Sequence, residues 1–255
     1  MVDRLTRPEA RTLVLLAAAS VAVAAAWVGL AGATRVAVPH AHGADLGAFV
    51  AAVVMWQAMI VAMMTPTVLP WLATYARLVA PGDASTATWR SIAGFAGGYF
   101  IVWLAYGIVA AGAQIGLQAA GLVGHDGAVP ARAGGVVLLM AGGAQFLPAR
   151  QACLTHCRNP LSYFLARWRN GPVSGFSLGV AHGAWCVGCC WLIMATGFAI
   201  GLMNLAWMAL LTIVLAAEQT LPGGVWVGRV FGAALTCWGA WLVIQPGAPD
   251  GGGAY

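Results

Sequence analysis

From Pro172 to Leu202 the chain carries no acidic side chain, no lysine and no arginine. That run exceeds the roughly 20 residues a helix needs to cross a bilayer. In lipid the backbone of one such segment satisfies its own polar groups only as a helix. Similar runs recur along the chain, which is 61% hydrophobic and 7% charged, against about 25% charged in soluble domains. The sequence predicts an all-α, polytopic transmembrane helix bundle, a single membrane domain over residues 1–255.

About seven spans are expected, near 13–33, 47–66, 91–118, 131–147, 173–200, 204–217 and 225–244. Pro66 and Pro70 are expected to end or kink the second, and 71–90 reads as a connector. The first apolar run is longer than a signal-peptide core and reads as an uncleaved helix. Every basic residue is arginine. With a cytoplasmic N-terminus and an outside C-terminus, only Arg35 and Arg132 of the twelve arginines fall outside, as the positive-inside rule requires. A plasma (inner) membrane is the expected location. The net charge of +5 is spread between apolar spans without interleaved aromatics, so it is no nucleic-acid footprint.

Within the fifth span, His182, Cys186, Cys189 and Cys190 stand at i, i+4, i+7 and i+8, one stripe of a helix. Ionisable side chains inside a bilayer are costly and mark a site. Thiolate and imidazole suit zinc, copper(I) and iron–sulfur centres. His182 and Cys190 lie about 12 Å apart along a straight helix, so one ion cannot take both. The stripe is a ladder with Cys186 common to its pairs, unless Gly183 and Gly188 break the helix. In the second span Met55, Met59 and Met63 recur every four residues, and thioether beside thiolate favours copper(I) over zinc. Cys153 and Cys157 flank His156 in the expected loop 148–171, a further metal-binding candidate on the cytoplasmic side. His40 and His42 make a weak collecting pair on the other. Packing is the competing reading for the methionines and for Cys237. Glu218 reads as an interfacial group, and His125 with Asp126 as a solvated loop.

The run His182-Gly-Ala-Trp-Cys-Val-Gly-Cys-Cys-Trp191, with Met63-Met64-Thr-Pro66, Pro70 and the loop Cys153-Leu-Thr-His-Cys157-Arg-Asn-Pro160, resembles a bacterial family of predicted metal-binding integral membrane proteins. The resemblance covers about residues 51–240 and implies a multi-pass fold with a metal site at these positions, but no reaction. The chain differs from that pattern at Arg150 and Gln219, where the family tends to have lysine.

Three functions compete. The first is copper(I) handling, by transport or by delivery to a membrane cuproenzyme, with zinc or no metal as alternatives and a metallochaperone as partner. The second is thiol–disulfide exchange at Cys186 and Cys189, a C-x-x-C pair. The third is a non-catalytic accessory subunit of a membrane complex, with Gly94 and Gly98 packing on partner helices. No catalytic residue is assigned.

Overall fold

The fold is taken from a computed structural model, which describes residues 10–33, 46–79, 86–123, 128–167, 172–202 and 204–245. Among these there is no strand. The helices are α1 (Ala10–Ala33), α2 (Leu46–Val79), α3 (Thr86–Ala119), α4 (Ala131–Ala144), α5 (Pro148–Arg158), α6 (Pro160–Arg167), α7 (Pro172–Ala195), α8 (Gly197–Ile200), α9 (Leu205–Thr220) and α10 (Gly224–Ile244). The stretches Leu46–Val79, Thr86–Ala119, Val173–Ile200 and Gly224–Ile244 are each long and apolar enough to cross a membrane. Shorter apolar helices cover Ala17–Gly32, Ala131–Ala144 and Leu205–Thr220. Large apolar side chains such as Val54, Val109, Ile213, Trp226 and Ile244 point outward, as they would toward lipid tails.

Two expectations are corrected. The helix after Leu46 does not stop at its prolines: α2 passes through Pro66 and Pro70 to Val79. Each proline removes one backbone donor, which leaves the Ala62 and Pro66 carbonyls without their i+4 partner; the hydroxyls of Thr65, Thr67 and Thr74 go to other carbonyls, those of Val61, Met64 and Pro70. Neighbouring helices packed around it let an apolar helix stay continuous through proline. The segment between α4 and α7 is not a loop either. Pro148 and Pro160 each begin a helix, at the position where a missing N–H costs nothing. The helix bearing the cysteine stripe is unbroken from Pro172 to Ala195, so its glycines serve another purpose than a break.

That purpose is close packing. A Cβ at Gly175 would stand 2.5 Å from the Ser91 carbonyl oxygen, and one at Gly183 would stand 3.0 Å from that of Tyr99. At Gly179 it would overlap the Phe95 carbonyl, and at Gly98 that of Phe176. Helices α3 and α7 therefore lie parallel with their backbones nearly touching, as small residues permit. Gly98 faces α7 of its own chain, not a partner helix. Helices α4 and α10 repeat the arrangement antiparallel, with Gly135 against Gly239 and Gly142 against Gly232 and Thr236.

The same contacts fix depth. Trp71 of α2 stacks on His182 of α7 with ring centroids 3.6 Å apart, and Trp56 lies 5.6 Å from Phe198. Fifteen residues of α2 thus run opposite sixteen following His182. Interpolation puts Met63 and Met64 level with Cys190, Met59 about one turn beyond, and Met55 about two turns beyond. His40, His42, His125 and Asp126 lie outside the described residues.

Candidate metal centre

The cysteines that the sequence divides between a loop and a span belong to one cluster. Helix α5 folds against α7 and brings the Cys157 sulfur to 3.8 Å from that of Cys189. Cys189 and Cys190 have their sulfurs 3.3 Å apart. The Cys186 sulfur interacts with those of Cys157, Cys189 and Cys190, and it shares a 3.3 Å hydrogen bond with the Tyr99 hydroxyl. All four thiols are buried. Cys153, half-buried, packs beside Gly188, where a Cβ would stand 3.4 Å from its sulfur. All six cysteines are free thiols, and Cys237 is exposed on α10 away from the cluster.

His182 is buried between rings. Besides the Trp71 stack, it lies 5.4 Å from Tyr99 and 6.1 Å from Phe95, both nearly parallel. His156 is exposed and stacks on Trp185 at 4.4 Å. Met59 and Met63 are buried and Met55 is half-buried. Met64, Met194 and Met208, which sequence reasoning passed over as ligands, are also buried.

One ion pair holds the cluster together. Arg150 donates to both carboxylate oxygens of Glu218, at 2.7 and 2.6 Å, and its Nε donates to the Cys189 carbonyl at 3.2 Å. Glu218 is 1% exposed, a correction to its interfacial reading. Its position inside the bundle follows from the shortness of α9 and from α5 folding inward to meet it. Burial alone would lower the Arg150 pKa, but the Glu218 hydrogen bonds and charge outweigh that and raise it, so the guanidinium stays charged. Arg158 donates to the carbonyls of Glu218, Leu221 and Pro222. It satisfies acceptors that the C-terminus of α9 leaves unpaired and complements the negative end of that helix. Gln219 donates its amide to the Cys190 sulfur at 3.6 Å. Trp71 donates to the Cys157 carbonyl at 2.9 Å.

On α5, hydrogen bonding with Cys186 and Cys189, followed by burial, pushes the Cys157 thiol well up. Burial raises the Cys153 thiol, and Arg150 opposes this only in part. A metal ion binding either residue must displace a proton.

Among the described residues no group of three or more His, Cys, Asp or Glu side chains is set to hold a metal ion. The sulfurs offer pairs instead of a finished cage. With metal–sulfur bonds near 2.3 Å, two thiolates on one ion stand between about 3.8 Å (tetrahedral) and about 4.6 Å (linear) apart. Cys157 and Cys189 meet that spacing as they are; Cys189 and Cys190 must spread slightly. A structural zinc site wants four closed ligands, whereas soft thiolates and thioethers select copper(I).

The sequence signals for this assembly were Pro148 and Pro160, which can each open a helix, and Cys153 and Cys157, which then share a face four residues apart. Nothing local in the sequence pairs Arg150 with Glu218. Residues 53–242 match the sequence profile of a family described as PpoB2, copper chaperone. No curated protein and no solved structure matches the chain.

Proposed function

The chain belongs to the PpoB2 copper-chaperone family, and from that premise we propose that it binds copper(I) in a membrane, at the thiols of Cys157, Cys186, Cys189 and Cys190, and hands the ion on. The observation that carries the reading is the 3.8 Å approach of Cys157 to Cys189. It joins a helix between spans to a helix inside the bundle through two soft donors. Cys153 stands beside the cluster as an outer thiol. Met63 and Met64 of α2 lie at the depth of Cys190, and Met59 and Met55 continue the soft donors beyond it. His182 is a shape-determining neighbour in this reading; its ring contacts hold α2 against α7 at the cluster's edge. The chain crosses the plasma membrane of a bacterium seven times, N-terminus inside, with the copper recipient a membrane or exported cuproenzyme.

The test is elemental analysis of purified protein loaded with copper(I) under reducing conditions. Wild type is expected to retain copper that a Cys186→Ser/Cys189→Ser/Cys190→Ser variant does not. Cys157→Ser alone is expected to lose most of it. Equal copper in wild type and the triple variant would sink the proposal. The thiol–disulfide reading is tested on the same material by alkylation in cells, since copper(I) handling requires Cys186 and Cys189 reduced.

A further inference from the structure

We propose that the cavity between α2, the α5–α6 junction and the last turn of α9 is the port through which copper(I) reaches the thiols, with Cys157 as its first protein ligand. This rests on the copper reading above. The cavity holds about 180 Å³. Pro70 and Thr220 are exposed at its mouth, while Thr67, Trp71, Cys157 and Gln219 are buried along its walls. It runs from the surface to Cys157, whose carbonyl accepts from Trp71 and whose sulfur lies 3.8 Å from that of Cys189.

Size and lining select the occupant. A water takes about 30 Å³, so the space admits an ion with a few small ligands and excludes a folded donor's loop. Arg158 is the sole charged side chain on the lining, and its guanidinium is committed to three carbonyls at the end of α9. With no carboxylate, the cavity offers nothing to a hard divalent cation, which seeks oxygen anions. Its one soft donor is Cys157.

The sulfur contacts mark the route onward. Cys189 is the next sulfur, 3.8 Å from Cys157, and Cys190 the next after it at 3.3 Å. Gln219 both lines the cavity and donates to Cys190, so its amide separates the port from that sulfur and must release it when Cys190 takes the ion. In the first step one donor ligand leaves copper as the Cys157 sulfur binds. The thiol proton departs to solvent or to the released ligand. Copper remains in the +1 state and no electron moves. Cys153, the more exposed thiol of α5, does not line the cavity and stands beside Gly188, so it is the competing point of first contact.

The experiment loads metal-free protein in nanodiscs with copper(I) held in excess chloride and follows copper–thiolate absorbance in the near ultraviolet. Thr220→Trp on α9 and Pro70→Trp on α2 plug the mouth; Thr220→Val and Cys153→Ser are the comparisons. Each plugged variant is expected to load at least ten-fold more slowly than wild type and to reach the same final copper content. Thr220→Val and Cys153→Ser are expected to load within two-fold of wild type. Wild-type loading rates in a plugged variant that retains its fold overturn the port, as does a ten-fold loss of rate in Cys153→Ser. If one plugged variant loses its final copper through damage, the other decides. Copper uptake absent from wild type removes the underlying copper reading, an outcome distinct from a port in the wrong place. Repeating the measurement with copper(I) carried by glutathione separates the bare ion from a small thiolate complex: a wild-type rate that holds with glutathione assigns the port to the complex, and a lost rate assigns it to the ion released at the mouth.

Discussion

Arg150 and Glu218 form the most expensive arrangement in this fold at the scale of single residues, because both charges leave water almost completely. Their bidentate geometry and the third bond from Arg150 to the Cys189 carbonyl are what make burial tolerable. Removing one partner strands the other. Glu218→Gln or Arg150→Met is therefore expected to destabilise the fold by about 3–5 kcal/mol, read as reversible unfolding in mixed micelles. The double variant Arg150→Met/Glu218→Leu is expected to recover much of that loss, since no charge is then left unpaired. A double variant as unstable as the sum of the singles would show that the pair itself, and not the stranded charge, holds α5 in place. Legibility at this scale was uneven. The cysteines and methionines announce themselves by type and spacing. Spacing within α7 makes Cys186 common to every pair there, and the fold keeps it central, since its sulfur interacts with those of Cys157, Cys189 and Cys190; what spacing does not give is Cys157, which α5 brings to Cys189 as well. A residue brought from another element is invisible to the periodicity of one helix.

At the scale of elements, glycine decides where the cysteine helix stands. Gly175, Gly179 and Gly183 sit one turn apart along the face of α7 that touches α3, and the cysteine stripe begins just beyond them. Any side chain at Gly179 must push α7 away from the Phe95 carbonyl, carrying Cys186 away from Tyr99. Gly179→Leu is expected to lower the melting temperature by at least several degrees and to cut copper retention. Gly97→Ala, where a Cβ would meet nothing within 4 Å, is expected to change neither. Scanning fluorimetry and copper content of the two variants side by side check this, and equal behaviour would refute the role given to Gly179. The apolar lengths of these helices could be read directly from composition. Their partners could not: Gly94 and Gly98 suggest a close approach but not which helix arrives. The passage of α2 through Pro66 and Pro70 likewise depends on the helices packed around it, which local sequence does not reveal.

At the scale of the molecule, the proposed copper reading orders the soft donors by depth into a column with a polar end and an apolar end. The port, Arg158 and the close of α9 lie at one end. From there the donors pass through Cys157 and the α7 thiols to Met63 and Met64, then to Met59, and then to Met55 near Phe198. Thiolates bind copper(I) more tightly than thioethers do, so the methionines cannot improve retention; what they can do is accept the ion transiently from the thiols and shorten its stay. This separates two roles that a stoichiometry alone confuses. A Met59→Leu/Met63→Leu variant keeps apolar volume and every thiol. It is expected to load at the wild-type rate and to hold the same copper, but to surrender it several-fold more slowly to a water-soluble copper(I) chelator placed at the far side in proteoliposomes. Cys157→Ser should show the opposite pattern, failing at loading. If the methionine variant releases copper as fast as wild type, the column ends at Cys190, the methionines are packing, and the ion leaves by the port through which it came.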